Sequence, residues 1–491
     1  VATSGAFNVA GNWTNNGIFT HGSGTVTFNG GSPGMTITAG GDTNPFCNIF
    51  FTGSGGAWTL QDSMKATSEF KVTNGSFTSG VNTVTLQGEN AKYTVSDIMK
   101  TTWTSGAFII KSNLNQSLPS AETYNDITLD RYSGVGPTLY NMGSTIHGNW
   151  TINANTTVTM TENVILDSSP GNITINGTLV TDGYDMDSAG NIIINNTGTL
   201  NASTAGGRIT QMSFVGDWSK HADGVFTYGN SEVIFDGGGT SKITGSVTFY
   251  DLTCVTPSKT LRFKGGDTFE ITHTLNLNGQ ATNTRIVLNN QVGDGSTQFI
   301  FKVASAQAVY YLNVSNSGVD DTSGGNISAN SSLNTINNDT GPSGKYWVFV
   351  VPIITITGIV YSDHGSTLIG SGVTIKLVKN GTYVNSDDTD GSSVYEITGV
   401  SANENDVILV YIYNRATNGN TVTVVSTSNV TGLNIYGDTV IARHDTGSSV
   451  TNANFNTAIN GYSTDPNDII FEMDGGGTIL DAGKDGAFAA N

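Results

Sequence analysis

The chain has 491 residues, and 12% of them are charged, whereas roughly 25% is usual for a soluble domain. Its 20 basic and 39 acidic side chains give a formal net charge of −19 without a basic cluster, which argues against nucleic acid or an anionic lipid surface as a partner. No stretch approaches the ~20 apolar residues of a membrane helix, so no membrane span is predicted. Asn, Thr, Ser and Gly take the polar positions instead, which is typical of an all-β protein with many tight turns.

A short motif built on Gly-Asn-Trp occurs three times in the chain. Gly11–Thr14 and Gly148–Thr151 read Gly-Asn-Trp-Thr, and Gly216–Ser219 reads Gly-Asp-Trp-Ser. The first and third copies continue alike for a further run, residues 17–30 against residues 224–237. Repetition on this scale predicts a protein assembled from stacked repeat units.

Apolar and polar residues alternate in short runs between turns that contain Gly or Asn. Similar strand-turn-strand units recur at Phe70–Phe77, Ile173–Leu179 and Phe269–Gly279. One such unit cannot bury its apolar face, whereas stacked units share a continuous core and pair their backbones between turns. The pattern therefore predicts a parallel β-helix.

The predicted β-helix covers residues 1–351 and consists of two related repeat blocks, about 1–204 and 205–351. Asn residues near the turns, as at Asn195-Asn196 and Asn289-Asn290, are predicted to stack and to form hydrogen bonds between turns.

Four of the repeated stretches carry a family resemblance: Gly11–Thr14, Gly24–Gly30, Val247–Thr253 and Val309–Ser317. Together they resemble the repeats of large secreted bacterial and archaeal surface proteins that form a right-handed parallel β-helix. The resemblance implies right-handed winding and an extracellular or cell-surface location. It carries no catalytic motif.

The pattern changes after Pro352, where strand-like runs separated by hairpin-type turns predict an antiparallel β-sandwich over residues 352–440. This block resembles the immunoglobulin-like, B-type repeat domains of surface adhesins and carboxypeptidase-regulatory modules. The matching elements are Gly358–Tyr361, the Thr389–Gly391 turn and Val407–Tyr413.

Some adhesin members of that group carry a crosslink between Lys and Asn, with the Lys on the first strand. Ile354–Tyr361 contains no Lys, so no such crosslink is predicted. Residues 441–491 lose the modular pattern and are interpreted as a C-terminal segment, either an assembly segment or a partial domain.

Two kinds of candidate site follow from local sequence. Asp387, Asp388 and Asp390 provide the closely spaced oxygens that Ca²⁺ prefers, but the EF-hand loop is incomplete, and a polar hairpin turn is the alternative. Asn-x-Ser/Thr sequences offer candidate glycosylation acceptors for an exported protein. These acceptors are Asn12, Asn74, Asn149, Asn172, Asn326 and Asn429.

No arrangement of residues predicts catalysis. The acidic side chains are dispersed, the six His residues lack metal-ligand spacing, and the densest polar trio, Arg443-His444-Asp445, is interpreted as structural. The chain is therefore predicted not to be an enzyme, and no cofactor other than the candidate Ca²⁺ is expected.

Tryptophan and cysteine allow two further predictions. Trp13, Trp150 and Trp218 would stack on sugars if they were exposed, but their place in a repeated strand favours the core. Cys47 and Cys254 lie at similar places in two repeat copies, which would be far apart in a stack, so two free thiols are predicted.

The leading functional hypothesis is an extracellular structural protein, a subunit of a surface filament, sheath or surface layer. Copies would associate through strand edges or strand exchange, with residues 1–10 and the tail after Val450 as candidate segments. A cell-surface adhesin that binds glycans is the alternative, and a polysaccharide lyase or hydrolase is the third hypothesis.

Overall fold

The structure is a computed structural model that describes residues 5–96, 100–119, 122–134, 138–167, 171–203, 209–291, 297–341, 343–445, 449–474, 480–481 and 487–490. The chain divides into two compact units. The first comprises Val1–Ala329 with Leu333–Val348, and the second comprises Asn330–Ser332 with Phe349–Asn491.

The first unit is a parallel β-solenoid, which confirms the β-helix prediction at the level of a stacked parallel repeat. Its early turns mostly contribute two strands each. These strands are β1 (Ala6–Val9), β2 (Trp13–Thr14), β3 (Thr25–Phe28), β4 (Met35–Thr38), β5 (Phe46–Phe51), β6 (Ala57–Leu60), β7 (Met64–Val72), β8 (Ser76–Thr78), β9 (Val84–Gly88), β10 (Lys92–Val95) and β11 (Thr101–Thr102).

Turns of three strands follow. Their strands are β12 (Ala107–Ser112), β13 (Gln116–Ser117), β14 (Thr123–Tyr124), β15 (Asp126–Asp130), β16 (Thr138–Met142), β17 (Thr145–Ile146), β18 (Trp150–Ile152), β19 (Thr156–Met160), β20 (Val164–Leu166), β21 (Ile173–Ile175), β22 (Thr178–Val180), β23 (Met186–Ser188), β24 (Ile192–Ile194), β25 (Thr199–Asn201), β26 (Gln211–Phe214), β27 (Trp218–Lys220), β28 (Val225–Thr227) and β29 (Glu232–Phe235).

The last turns begin with two pairs of strands in which the second strand is long, and a short 3₁₀ helix follows at Thr282–Thr284. The strands are β30 (Thr240–Thr244), β31 (Val247–Cys254), β32 (Thr260–Phe263), β33 (Thr268–Leu277), β34 (Ile286–Asn290), β35 (Phe299–Val303), β36 (Gln307–Tyr310), β37 (Leu312–Ser315), β38 (Ser317–Val319), β39 (Ile327–Asn330), β40 (Leu333–Ile336) and β41 (Trp347–Val350).

Strands of successive turns pair into long parallel sheets along the solenoid. Within the described residues, one sheet holds 17 strands, another holds ten, and a third holds the six strands β13, β16, β19, β22, β25 and β28. We call this third one the six-stranded sheet. A five-stranded sheet of β2, β4, β6, β8 and β11 accompanies the early turns.

The alternating sequence pattern becomes a core because every second side chain of a strand points into the solenoid. One row of inward side chains contains one residue from each of six successive turns, and each residue lies in register with the next. All six side chains are fully buried. The members of this row are Ile127, Trp150, Ile173, Ile192, Trp218 and Ile243. Two copies of the tryptophan motif thus contribute to a single aliphatic and aromatic stack.

The residue before the motif tryptophan has the same role in all three copies. Its side-chain oxygen accepts a hydrogen bond from a backbone N–H of the next turn, where the strand ladder would otherwise leave that donor unpaired at the corner. The acceptor and donor pairs are Asn12 with Thr36 at 2.9 Å, Asn149 with Asn172 at 3.2 Å, and Asp217 with Lys242 at 2.7 Å.

Asparagine side chains also bond to one another between turns, as the sequence predicts. Asn195 Nδ2 donates to Asn176 Oδ1 at 2.6 Å, and Asn176 Nδ2 donates to Asn153 Oδ1 at 3.4 Å. A second row near the end of the solenoid joins Asn316 to Asn289 at 2.8 Å. These rows hold the corners of successive turns in register.

The motif glycine is required where a preceding turn packs against it. A Cβ atom at Gly216 would lie 2.4 Å from Asn191 Oδ1, and one at Gly148 would lie 2.3 Å from Asp126 Oδ1. At Gly11, in the first copy, no described atom lies within 4 Å of that position. The same residue therefore has a steric role in two copies and none in the first.

Replacing Gly216 with alanine is expected to lower the local free energy of unfolding by about 1–3 kcal/mol, because the methyl group displaces a hydrogen-bonded corner. Gly11→Ala is the matched control and should have no measurable effect. Amide hydrogen exchange around β27 and β2 measures the two local stabilities. Equal effects of the two substitutions would contradict this steric explanation.

The cysteines are both free, as predicted, and Cys254 is buried whereas Cys47 is half-buried. Burial raises the pKa of the Cys254 thiol to about 11. This thiol is therefore protonated and unreactive near neutral pH.

In its described residues, the second unit contains one sheet of three strands, one of six strands, one of two strands and one short helix. Its elements are β42 (Ile353–Tyr361), β43 (Thr374–Lys379), β44 (Thr382–Asp388), β45 (Val394–Ser401), β46 (Val407–Ile412), β47 (Asn420–Val424), β48 (Ile435–Tyr436), β49 (Thr439–His444), α1 (Asn452–Ile459), β50 (Glu472–Met473), β51 (Leu480–Asp481) and β52 (Ala487–Ala490).

The pairing in this unit is mixed, where the sequence predicts an antiparallel sandwich. One sheet has the order β45-β42-β48 and the other the order β44-β43-β46-β47-β49-β52. Pairs within β43–β47 are antiparallel, whereas β47 pairs with β49 in parallel, as does β42 with β48. The second unit is therefore mainly β, and only some of its strand pairs are antiparallel.

Strand β46 is buried on both faces because each face meets a different core. Ile408, Val410 and Ile412 pack between the two sheets, whereas Leu409 and Tyr411 pack under a cover that includes α1. The same cover includes Ile469, Ile470 and Phe471 from the C-terminal segment. This part of residues 441–491 is therefore packed against its own sheet.

A half-buried ion pair connects that cover to the sheet. Lys376 Nζ lies 2.8 Å from Asp465 Oδ2, and the hydroxyls of Tyr411 and Tyr462 donate to the same oxygen at 2.6 and 2.7 Å. Burial raises the pKa of the Asp465 carboxyl, but the hydrogen bonds from these three partners outweigh it and leave the pKa below its usual value.

Asp465→Asn is expected to lower the free energy of unfolding of the second unit by about 2 kcal/mol at neutral pH. The reason is that the partly buried Lys376 ammonium loses the carboxylate that pairs with it. A depressed carboxyl pKa stabilises the fold above the unfolded pKa of about 4, and the contribution disappears as the pH falls through the lower folded value. Chemical denaturation at neutral and acidic pH should therefore show the two proteins converging on acidification.

A double-mutant cycle with Lys376→Met provides the control for the charge interaction. If Asp465→Asn costs as much in the Lys376→Met background as in the native background, the ion pair does not fasten the cover.

Candidate functional site

The residues of the candidate Ca²⁺ site are each engaged in the hairpins around them. Asp387 Oδ2 accepts the Glu396 N–H at 2.7 Å, and Asp388 Oδ1 accepts the Thr374 hydroxyl at 2.6 Å. Asp390 Oδ1 accepts two backbone N–H groups, those of residues 392 and 394, at 2.8 Å. The described residues contain no group of three or more His, Cys, Asp or Glu side chains that could hold a metal ion together, and Ca²⁺ binding here stays a prediction.

The candidate glycosylation acceptors have structural roles in addition to their sequence motif. Besides Asn12 and Asn149, the side-chain oxygens of Asn172, Asn326 and Asn429 accept backbone N–H groups. Asn74 Oδ1 accepts from the Lys100 ammonium at 3.4 Å. A glycan on Nδ2 leaves these oxygen acceptors in place, so glycosylation at these positions stays a prediction.

The trio at residues 443–445 forms an ion pair on a strand end. Arg443 lies 2.6 Å from Asp445 and donates to the Thr431 carbonyl. Asp445 in turn accepts a hydrogen bond from the Thr423 hydroxyl. These contacts join neighbouring segments, which agrees with the structural interpretation.

The motif tryptophans do not form a sugar platform. Trp150 and Trp218 are fully buried, and Trp13 is half-buried against Phe19 and Phe46, with ring centroids 5.2 and 5.4 Å away. The prediction that these residues belong to the core is confirmed for Trp150 and Trp218.

One buried carboxyl group, surrounded by hydrogen-bond donors, was not predicted from the sequence. Glu122, which is 1% exposed, lies inside the solenoid at the transition from two-strand to three-strand turns. It accepts hydrogen bonds from the hydroxyls of Tyr93 at 2.7 Å, Tyr124 at 2.9 Å and Thr101, and from the indole N–H of Trp103 at 3.2 Å. Burial raises the pKa of Glu122 to about 7.

The feature most like a ligand site is a surface groove beside the end of the six-stranded sheet. β28 is the last strand of that sheet in the described part of the chain. In the next turn, Val247–Phe249 of β31 pair forward with β33, whereas β31 pairs back to β29 only from Asp251 onwards. The two turns therefore separate on this face of the solenoid.

The groove has two adjoining parts, with volumes of about 510 and 540 Å³, that share Lys220 and Ser246. The first part is bordered by Lys220, His221, Lys264 and Asp267. The second part is bordered by Phe226, Tyr228, Thr248, Glu270, Lys302 and Asp320. Both parts are bordered by charged and polar side chains, and the second one adds two aromatic rings.

Charges in the groove are paired or partly desolvated. Burial lowers the pKa of the Lys220 ammonium, although the carboxylates of Asp267 and Asp223 act against this. Lys302 lies 3.0 Å from Glu270, and their hydrogen bond raises the pKa of Lys302. Hydrogen bonds from Thr322 lower the pKa of Asp320.

Comparison with known proteins adds no assignment: no protein-family model, no curated protein and no solved structure matches this chain. Among the described residues, no helix has the length and apolar character needed to cross a membrane. Function is therefore argued from the geometry of the chain itself.

Proposed function

We propose that this chain is an extracellular structural protein, a subunit of a surface filament, sheath or surface layer. The observation that carries the proposal is the 17-strand parallel ladder over a continuous apolar core, which gives the first unit the properties of a rigid element. Right-handed winding and an immunoglobulin-like second unit belong to the same proposal and rest on the sequence resemblances.

The proposed route of assembly is pairing between strand edges of different copies. β1 pairs with β3 in register from Ala6 to Val9, and three of its four residues are exposed. The Val9 carbonyl accepts the Asn29 N–H, so in an alternating strand the backbone groups of Asn8 point to the opposite edge. An edge of this kind can accept a strand from a second copy.

The C-terminal segment is a weaker candidate for exchange. Phe455 and residues 469–471 are buried against the sheet of their own unit. Releasing them would expose that apolar face to water. The proposed contact is therefore assigned to the edge of β1.

The test compares Asn8→Pro with Asn8→Ala. Proline removes the outward N–H without touching the Val9 carbonyl, whereas alanine keeps the donor. Light scattering and electron microscopy should show ordered assemblies for the native protein and Asn8→Ala, and their loss for Asn8→Pro. A native protein that stays monomeric, together with native material that lacks ordered assemblies, would refute the structural function.

A further inference from the structure

The groove floor is a ladder of outward polar side chains from successive turns. Thr248 lies in register with Glu270, and Glu270 lies in register with Lys302, so these side chains are roughly 4.8 Å apart along the solenoid. The Thr248 hydroxyl donates to Glu270 at 3.1 Å, and Lys302 contacts Glu270 on the other side. Donors and acceptors thus alternate along the direction of the solenoid axis.

The groove wall is apolar and comes from the edge strand of the six-stranded sheet. Phe226 packs edge-on against the buried Trp218, with ring centroids 5.0 Å apart, and also borders the groove. Val225, which is 48% exposed, and the half-buried Tyr228 extend this wall. A core tryptophan therefore holds the wall in place through Phe226.

The charge balance of the groove differs from that of the chain. The chain has almost twice as many acidic as basic residues, whereas the groove is bordered by three lysines and three carboxylates. These residues are Lys220, Lys264, Lys302, Asp267, Glu270 and Asp320. Opposite charges that balance one another provide no net attraction for a polyanion, but they supply donors and acceptors for hydroxyl groups.

We propose that this groove binds a neutral polysaccharide, with the sugar chain running along the solenoid axis. Sugar hydroxyls would bond to the floor residues Thr248, Glu270 and Lys302, and the apolar face of a pyranose ring would lie against Tyr228 and Phe226. The repeat of the floor follows the spacing of the turns, so an extended polymer meets one set of polar groups per turn. This site is independent of the proposed structural function and would anchor the protein to a glycan matrix.

Isothermal titration with cello- and manno-oligosaccharides tests the site in the full chain. Saturable binding to a neutral series is expected, with about tenfold weaker affinity in Tyr228→Ala. Tyr310→Ala is the matched control, because Tyr310 is 43% exposed on the same unit and does not border the groove. Glu270→Gln should also weaken binding, since it removes the negative charge that pairs with Lys302 in the floor of the groove.

Three outcomes would overturn the proposal. They are an absence of saturable binding to any neutral oligosaccharide, equal affinities of Tyr228→Ala and Tyr310→Ala, and preferential binding of polygalacturonate. Light scattering of the same variants separates this site from assembly, because Tyr228→Ala should assemble like the native protein.

Discussion

Replacing Trp150 with alanine should lower the local free energy of unfolding by about 3–5 kcal/mol, the largest stability change expected in the solenoid. Trp150 is fully buried and lies in register between Ile127 and Ile173. Each turn contacts mainly its neighbours, so a cavity at this position weakens the stack on both sides. Amide hydrogen exchange in the turns containing β15, β18 and β21 measures the loss.

Two variants control this experiment. Trp150→Phe keeps an aromatic ring in the row, and the Trp150 indole N–H has no hydrogen-bond partner among the described residues, so no hydrogen bond is lost and the cost should be smaller. Trp13→Ala alters the half-buried tryptophan of the first copy and should also cost less. Equal losses for Trp150→Ala and Trp13→Ala would show that burial in the row does not set the stability.

Glu122→Gln should make the stability of the protein less sensitive to rising pH, by roughly 3 kcal/mol of unfolding free energy between about pH 4 and pH 8. Burial raises the pKa of Glu122 to about 7, so the folded state holds a proton that the unfolded state has released. The folded state therefore loses stability as the pH rises from the unfolded value of about 4 to the folded value, and the full penalty remains above it.

Guanidinium denaturation at several pH values, followed by tryptophan fluorescence, measures this dependence. The unfolding free energy of Glu122→Gln minus that of the native protein should increase from pH 4 to about pH 7 and level off above it. Glu89→Gln, at an exposed position of the neighbouring turn, is the matched control and should leave the pH dependence unchanged. A constant difference between Glu122→Gln and the native protein would contradict the assigned pKa.

The donors around Glu122 explain why a carboxyl group is tolerated in the core. Burial raises the pKa values of Tyr93 and Tyr124, so both hydroxyls stay protonated and donate to Glu122. Thr101 and Trp103 complete the set of four donors. A buried polar group with its partners in place is far less costly than an orphaned one.

The alternation of apolar and polar residues was sufficient to predict strands, stacked turns and the burial of Trp150 and Trp218. Such predictions succeed because the side-chain period of a strand is a property of the local chain. The mixed pairing of the second unit and the cover over β46 were not predicted. They depend on which strand lies beside which, and local patterns do not contain that information.

The sequence by itself determined that this chain folds as the stacked turns of a β-solenoid followed by a different β unit. Periodicity and composition are local properties of the chain, so they can be read without knowing the tertiary structure. Only the tertiary structure decided where the six-stranded sheet ends, and hence where Lys220, Phe226, Glu270 and Lys302 border one groove. It also decided that Glu122 meets its four donors. Both arrangements arise from the register of successive turns, which brings together residues far apart in the chain.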